Sequence, residues 1–130
     1  MAERRRVVVD VLLWLVALFL SWIFVRQGMA KFSDQSGWAQ AFRMWLFPVW
    51  FRVGVGVAEV LAALLLLTRR TASGGAIIII AIMIGAMGTH IRWHRPGQVT
   101  SEVLPLALAI IIAFGRYKHF LLRRTPAPAP

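Results

Sequence analysis

Four long apolar runs, at 7–26, 49–67, 76–91 and 103–114, take up most of this 130-residue chain. Each approaches the roughly 20 residues that a helix needs to cross about 30 Å of hydrocarbon, the later two being short. Hydrophobic residues make up 59% of the sequence, against about 45–50% in soluble domains. These features predict an integral membrane protein. The formal net charge of +10 does not point to nucleic acid, because Lys and Arg sit between and beside the apolar runs, where topology signals lie. Cysteine is absent, which excludes disulfides, thiolate nucleophiles, iron–sulfur clusters and cysteine-bound zinc. Any redox role has to use a borrowed cofactor.

The expected fold is all-α: an integral membrane four-helix bundle with helices at about 7–30, 49–67, 75–93 and 102–120, in one domain over 1–120. The first run is too long for a signal-peptide core, so it is read as a span. Between the first and second helices, SDQSG supplies a turn, and WAQAFRMWLF places Trp38, Phe42 and Trp45 at spacings of four and three. That stripe suits a short amphipathic helix in the membrane interface. Trp50 and Trp93 would join Trp38 and Trp45 in an interfacial aromatic belt. Arg116 and Lys118 should snorkel to the headgroups. The segment 121–130, basic and rich in Pro and Ala, should be a flexible tail.

Basic residues give an orientation. With four crossings, nine Lys and Arg fall on the side of the termini and six on the other. The excess predicts a multi-pass protein of a bacterial-type cytoplasmic (inner) membrane with both termini in the cytoplasm.

Within GVGVAEVLAALLLL stands one carboxylate, Glu59. Counting from residue 49 puts it roughly 15 Å deep, where a charge needs a partner, a water pocket or a proton. Gly54, Ala58 and Ala62 form a small-residue ridge on the same helix, which should let a neighbouring backbone come close. Gln27 and Lys31 at the end of the first helix, His90 near the end of the third and Glu102 at the start of the fourth fall on the same outer half. Together Gln27, Lys31, Glu59, His90 and Glu102 are candidates for one outward-opening polar pocket. Each also has a plainer reading. Glu59 serves equally as hydrogen-bonded glue between helices, and Glu102 after Thr100 and Ser101 as a helix-start carboxylate, with Pro105 in the first turn. His90 and His94, four apart, would share a helix face, but with no evident third ligand no metal site is expected.

GMAKF at 28–32, GVAE at 56–59, GTH at 88–90 and SEVLP at 101–105 occur in an order that resembles the DoxX family of small four-helix membrane proteins, over roughly residues 14–115. Ala62 and Ala63 depart from the pattern, since such proteins often carry glycine after the glutamate. The family takes its name from the membrane subunit of an archaeal thiosulfate:quinone oxidoreductase. The resemblance therefore implies a membrane subunit of a redox or quinone-linked complex, with a quinone as candidate ligand and no intrinsic cofactor.

The sequence itself has no nucleophile, nucleotide loop or cofactor motif, so a standalone enzyme is not expected. Two other readings stand beside the redox subunit: a structural or assembly subunit of a larger complex, and a small-solute or proton pathway through Glu59. Expected partners are the lipid bilayer and other membrane or redox proteins, with homo- or hetero-oligomers open and no nucleic acid.

Overall fold

A computed structural model of the chain describes residues 1–122, with side chains as far as Tyr117. From residue 123 on, the expected tail lies outside the described residues. The described chain is all helical: α1 (Ala2–Ala30), α2 (Gly37–Met44), α3 (Val49–Leu65), α4 (Ala72–Arg92) and α5 (Pro96–Leu122). Among the described residues three helical stretches are long and apolar enough to cross a membrane: Ala2–Ala30, Ala72–Arg92 and Pro96–Tyr117. α3, with 17 residues, reaches roughly 25 Å, somewhat short of a full hydrocarbon core. α1 packs on α3, α3 on α4, α4 on α5 and α5 back on α1, so the four long helices close a ring; α2 packs on α3.

Small residues set how closely this ring draws together. A Cβ on Gly28 of α1 would lie 2.8 Å from the backbone oxygen of Gly56 on α3, and one on Gly75 of α4 only 2.6 Å from that of Ala62. The helices can meet this closely only because neither position carries a side chain. On α3 the close contacts therefore fall at Gly56 toward α1 and at Ala62 toward α4. Gly54, expected to open the small-residue ridge, faces open space, because the α1 contact falls at Gly56, two residues and about 200° further round the helix. Ala17, Leu20 and Phe24 of α1, Ala62 and Ala63 of α3, Ala76 and Ile79 of α4, and Ala109 and Ile112 of α5 fill the interior. Ser21 Oγ donates to the Ala63 carbonyl at 3.0 Å across the α1–α3 seam.

Helix boundaries depart furthest from the sequence reading at two helix starts. α1 begins at Ala2 instead of residue 7, and α5 at Pro96 instead of 102. Proline is well suited to a first helical position, since its missing N–H would have no partner there. Glu102 consequently lies in the second turn of α5 and caps nothing, and Pro105 lies inside the helix.

The turn that permits this is compact. Arg95 N–H bonds to the His90 carbonyl and His94 N–H to that of Ile91, with His94 at φ 53°: a Schellman ending. His94 thus leaves the helix, and the expected shared face with His90 does not form. α2 ends in the same way, with Phe47 N–H on the Phe42 carbonyl, Leu46 N–H on that of Arg43 and Leu46 at φ 62°.

Candidate functional site

Lys31 stands directly after the last residue of α1, and Glu59 in the middle of α3. A Cβ on Gly56 would meet Gly28 O at 2.9 Å and Lys31 Cβ at 3.1 Å, so Gly56 is level with the end of α1. The first turns of α3 therefore stand beyond that end, where α2 rests on them. Glu59, ten residues into α3, is about one turn from the end of α1, within reach of Lys31. Lys31 Nζ donates to Glu59 Oε1 at 3.0 Å and to Oε2 at 2.8 Å, and both residues are 2% exposed or less. The ammonium also stands 3.8 Å from the centroid of the Trp38 ring. Two carboxylate oxygens and an aromatic face thus surround one cation, replacing the water it loses on burial.

On the opposite wall, His90 of α4 and Glu102 of α5 form a second buried pair, with Nδ1 2.9 Å from Oε1. The contact lacks the alignment of a hydrogen bond, and Glu102 Oε2 has no hydrogen-bonding partner among the described residues. Trp45, just past α2, sets its ring edge-on to His90 at 5.3 Å between centroids. Expected in an interfacial belt, Trp45 is instead buried. Spacing identifies which side chains share a face; here that face meets the protein.

A cavity of about 1010 Å³ lies between these pairs, and Gln27, Lys31, Glu59, His90 and Glu102 all line it. Trp38, Phe42, Trp45, Phe47 and Phe51 contribute aromatic walls. The volume is at the upper end of the roughly 300–1,000 Å³ common for small-molecule sites.

The α2 cover is tied down from below. Ser36 caps α2 by accepting from Ala39 N–H at 3.2 Å. Arg52 of α3, itself buried, donates to the Ser33 carbonyl at 3.2 Å and pairs with Asp34. The hydrogen bond and charge of Arg52 hold the Asp34 carboxyl below its ordinary value. Arg95, in the α4–α5 turn, reaches Met44 Sδ at the end of α2.

At the other end of the ring the sequence reading overlooked a further cluster. Asp10 of α1 pairs with Arg69 and with Arg116 of α5, the latter at 2.6 Å. Arg116 also lies over the Trp14 ring. It is 2% exposed, so it does not snorkel outward as expected. An aspartate inside the apolar run VVVDVLLW asks for a partner as plainly as Glu59 does.

A sequence model of the DoxX-like family matches residues 11–114, most of the chain and all of its cavity-lining residues. No curated protein and no solved structure matches the chain.

Proposed function

The chain belongs to the DoxX-like family, and from that premise we propose that it is a membrane subunit of a redox or quinone-linked complex, holding a quinone-class ring in the cavity between α2 and the four long helices. The observation that carries this reading is the convergence of a buried ion pair, Lys31–Glu59, and a buried His90–Glu102 contact on one aromatic-walled cavity. A flat ring with oxygens at its edges needs apolar faces to lie between and hydrogen-bonding groups at its rim. Trp38, Phe42 and Phe51 offer the former, and His90, Glu102 and Gln27 the latter, with the Lys31–Glu59 pair beside them.

In this reading all four long helices cross a bacterial-type cytoplasmic membrane, α2 lies in the interface, and the cavity opens on the face away from both termini. The pairing of Asp10 with Arg69 and Arg116 supports an even number of crossings, since it sets the N-terminal half of α1 and the C-terminal part of α5 on one side. The protein acts as a non-catalytic subunit that positions its ligand for a partner.

A second reading has a specific observation in its favour. Lys31 and Glu59 satisfy one another, as groups whose role is to fix helix register would. A structural or assembly subunit would need nothing more. A proton or solute pathway has less support, because the described interior between the cavity and Asp10 is occupied by Ala17, Leu20, Phe24, Ile79 and Ile112, with Ser21 the polar side chain among them.

Purification in mild detergent followed by mass spectrometry of proteins and extracted lipids separates the first two readings. Partner proteins together with a stoichiometric quinone support the proposed function. Partner proteins with no quinone above the level of bulk lipid favour the structural reading.

A further inference from the structure

The seam between α3 and α4 is closed at one end and parted at the other. Where it closes, a Cβ on Gly75 would lie 2.6 Å from the Ala62 oxygen. Residues seven and eleven apart share a helix face, so across this antiparallel pair the row Ala62, Val55, Phe51 of α3 is set against Gly75, Ile82, Ala86 of α4. Beyond the closed point both rows line the cavity. The cavity therefore lies where the seam would otherwise be. Ala81 and Gly85, beside the α4 row on its outward side, line it too and are exposed, and a Cβ on Gly85 would meet nothing within 4 Å. In addition to its outer mouth, the cavity thus reaches the flank of the bundle.

The two openings differ in chemistry. Gln98 and Ser101, the exposed lining residues of α5, are polar, whereas the flank gap is walled by Phe51, Val55, Ala81 and Gly85. Gly85 stands seven residues before Arg92, the last residue of α4, and so roughly 10 Å below that end, which in the proposed arrangement is hydrocarbon depth. A water-borne solute finds no bonding group in such a gap. An alkyl or isoprenoid chain fits it, because it has no polar group to leave unsatisfied. Lipid tails are as apolar as these walls, so the chain itself gains little by leaving the bilayer. What the gap provides is a way for a ring to occupy the cavity while its chain stays in the membrane.

We infer that the gap between α3 and α4 is a lateral portal, and that the occupant of the cavity is a ring-headed lipid whose long apolar chain passes out over Ala81 and Gly85 into the bilayer. This inference rests on the proposed function and names the class of ligand: a membrane-borne, long-chain quinone that enters from the lipid phase.

The test uses the full chain in nanodiscs, titrated with an octaprenyl-substituted benzoquinone and with the same ring bearing a methyl group in place of the chain, each corrected for partition into the lipid. In Gly85→Leu the octaprenyl probe should bind at least about tenfold more weakly, while the methyl probe keeps its wild-type affinity. Gly88→Leu is the control and should change neither, since Gly88 is exposed, has open space at its Cβ position and stands outside the cavity lining. Octaprenyl binding that is undiminished in Gly85→Leu, that falls equally in Gly88→Leu, or that falls no more than methyl-probe binding would overturn the portal and leave the proposed function standing. Binding of the methyl probe alone to the wild-type chain would do the same. Photolabelling needs no variant to fold: a diazirine on the first isoprene unit of the octaprenyl probe should place adducts around Phe51, Val55, Ala81 and Gly85 of the wild-type chain. Adducts on α1 or α5 instead would overturn the portal. Absence of saturable binding by either probe would overturn both the portal and the quinone reading on which it rests.

Discussion

Lys31 and Glu59 illustrate what a buried ion pair does and does not contribute. Removing two charges from water costs about as much as their attraction returns, so the intact pair adds little net stability, while a lone survivor is expensive. Glu59→Leu should accordingly destabilise the protein by about 3–5 kcal/mol, and adding Lys31→Met should recover most of that loss. Unfolding of the two single variants and the double variant in detergent, as a double-mutant cycle, is the check. Additive losses would mean that the two residues do not act as a pair. The sequence revealed the partner's identity only in part. It placed Lys31 and Glu59 on the same half, but counting depth along one helix could not show that α3 overshoots the end of α1 and brings them level. Trp45 was less legible still, since an aromatic stripe reads the same whether it faces lipid or a cavity wall. Arg52 and Arg116 read as topology signals because a basic residue beside an apolar run does not disclose its acidic partner, here Asp34 and Asp10.

At the level of elements, contacts between backbones decide the architecture. Gly28→Ala should cost about 1–3 kcal/mol by forcing α1 from the Gly56 carbonyl, whereas Gly54→Ala, into open space, should be neutral or stabilising by up to about 1 kcal/mol. Thermal unfolding of the two variants side by side tests this, and equal losses would contradict the assigned seam. The α2 cover has its own sensitivity. Because Arg52 lowers the Asp34 pKa in the folded state, the ionised pair contributes above the unfolded value and is lost as pH falls through the lower folded value. Amide exchange across Ser36–Met44 should therefore stay protected from neutral pH down to about 4 and rise only in stronger acid. Exchange already rising near pH 6 would show that another group holds the cover. The four long helices were legible from apolar run length, and α2 from the spacing of Trp38, Phe42 and Trp45. The start of α5 was not, because His94, which adopts positive φ more readily than most non-glycine residues but far less often than glycine, closes a three-residue turn that no glycine announces.

For the whole molecule, the basic excess beside the termini predicts that both lie in the cytoplasm. A reporter fused at the C-terminus should be active only when cytoplasmic, and periplasmic activity there would invert the arrangement and put the cavity on the inner face. The end-to-end contrast follows the same axis: a paired Asp10–Arg69–Arg116 cluster at one end, an aromatic-covered cavity with the Lys31–Glu59 and His90–Glu102 contacts at the other, and an apolar interior between them. Family membership and this layout agree on a small membrane scaffold whose chemistry is concentrated at one end. Whether a quinone-class ring occupies that end is answered most directly by photolabelling the full chain in membranes with an azidoquinone and mapping the adducts by peptide mass spectrometry. Adducts confined to cavity-lining positions such as Trp38, Trp45, His90 and Glu102, and suppressed by excess unlabelled quinone, are the predicted result. Adducts scattered over exposed apolar positions such as Leu15, Leu61 and Phe114, and insensitive to competitor, would contradict it.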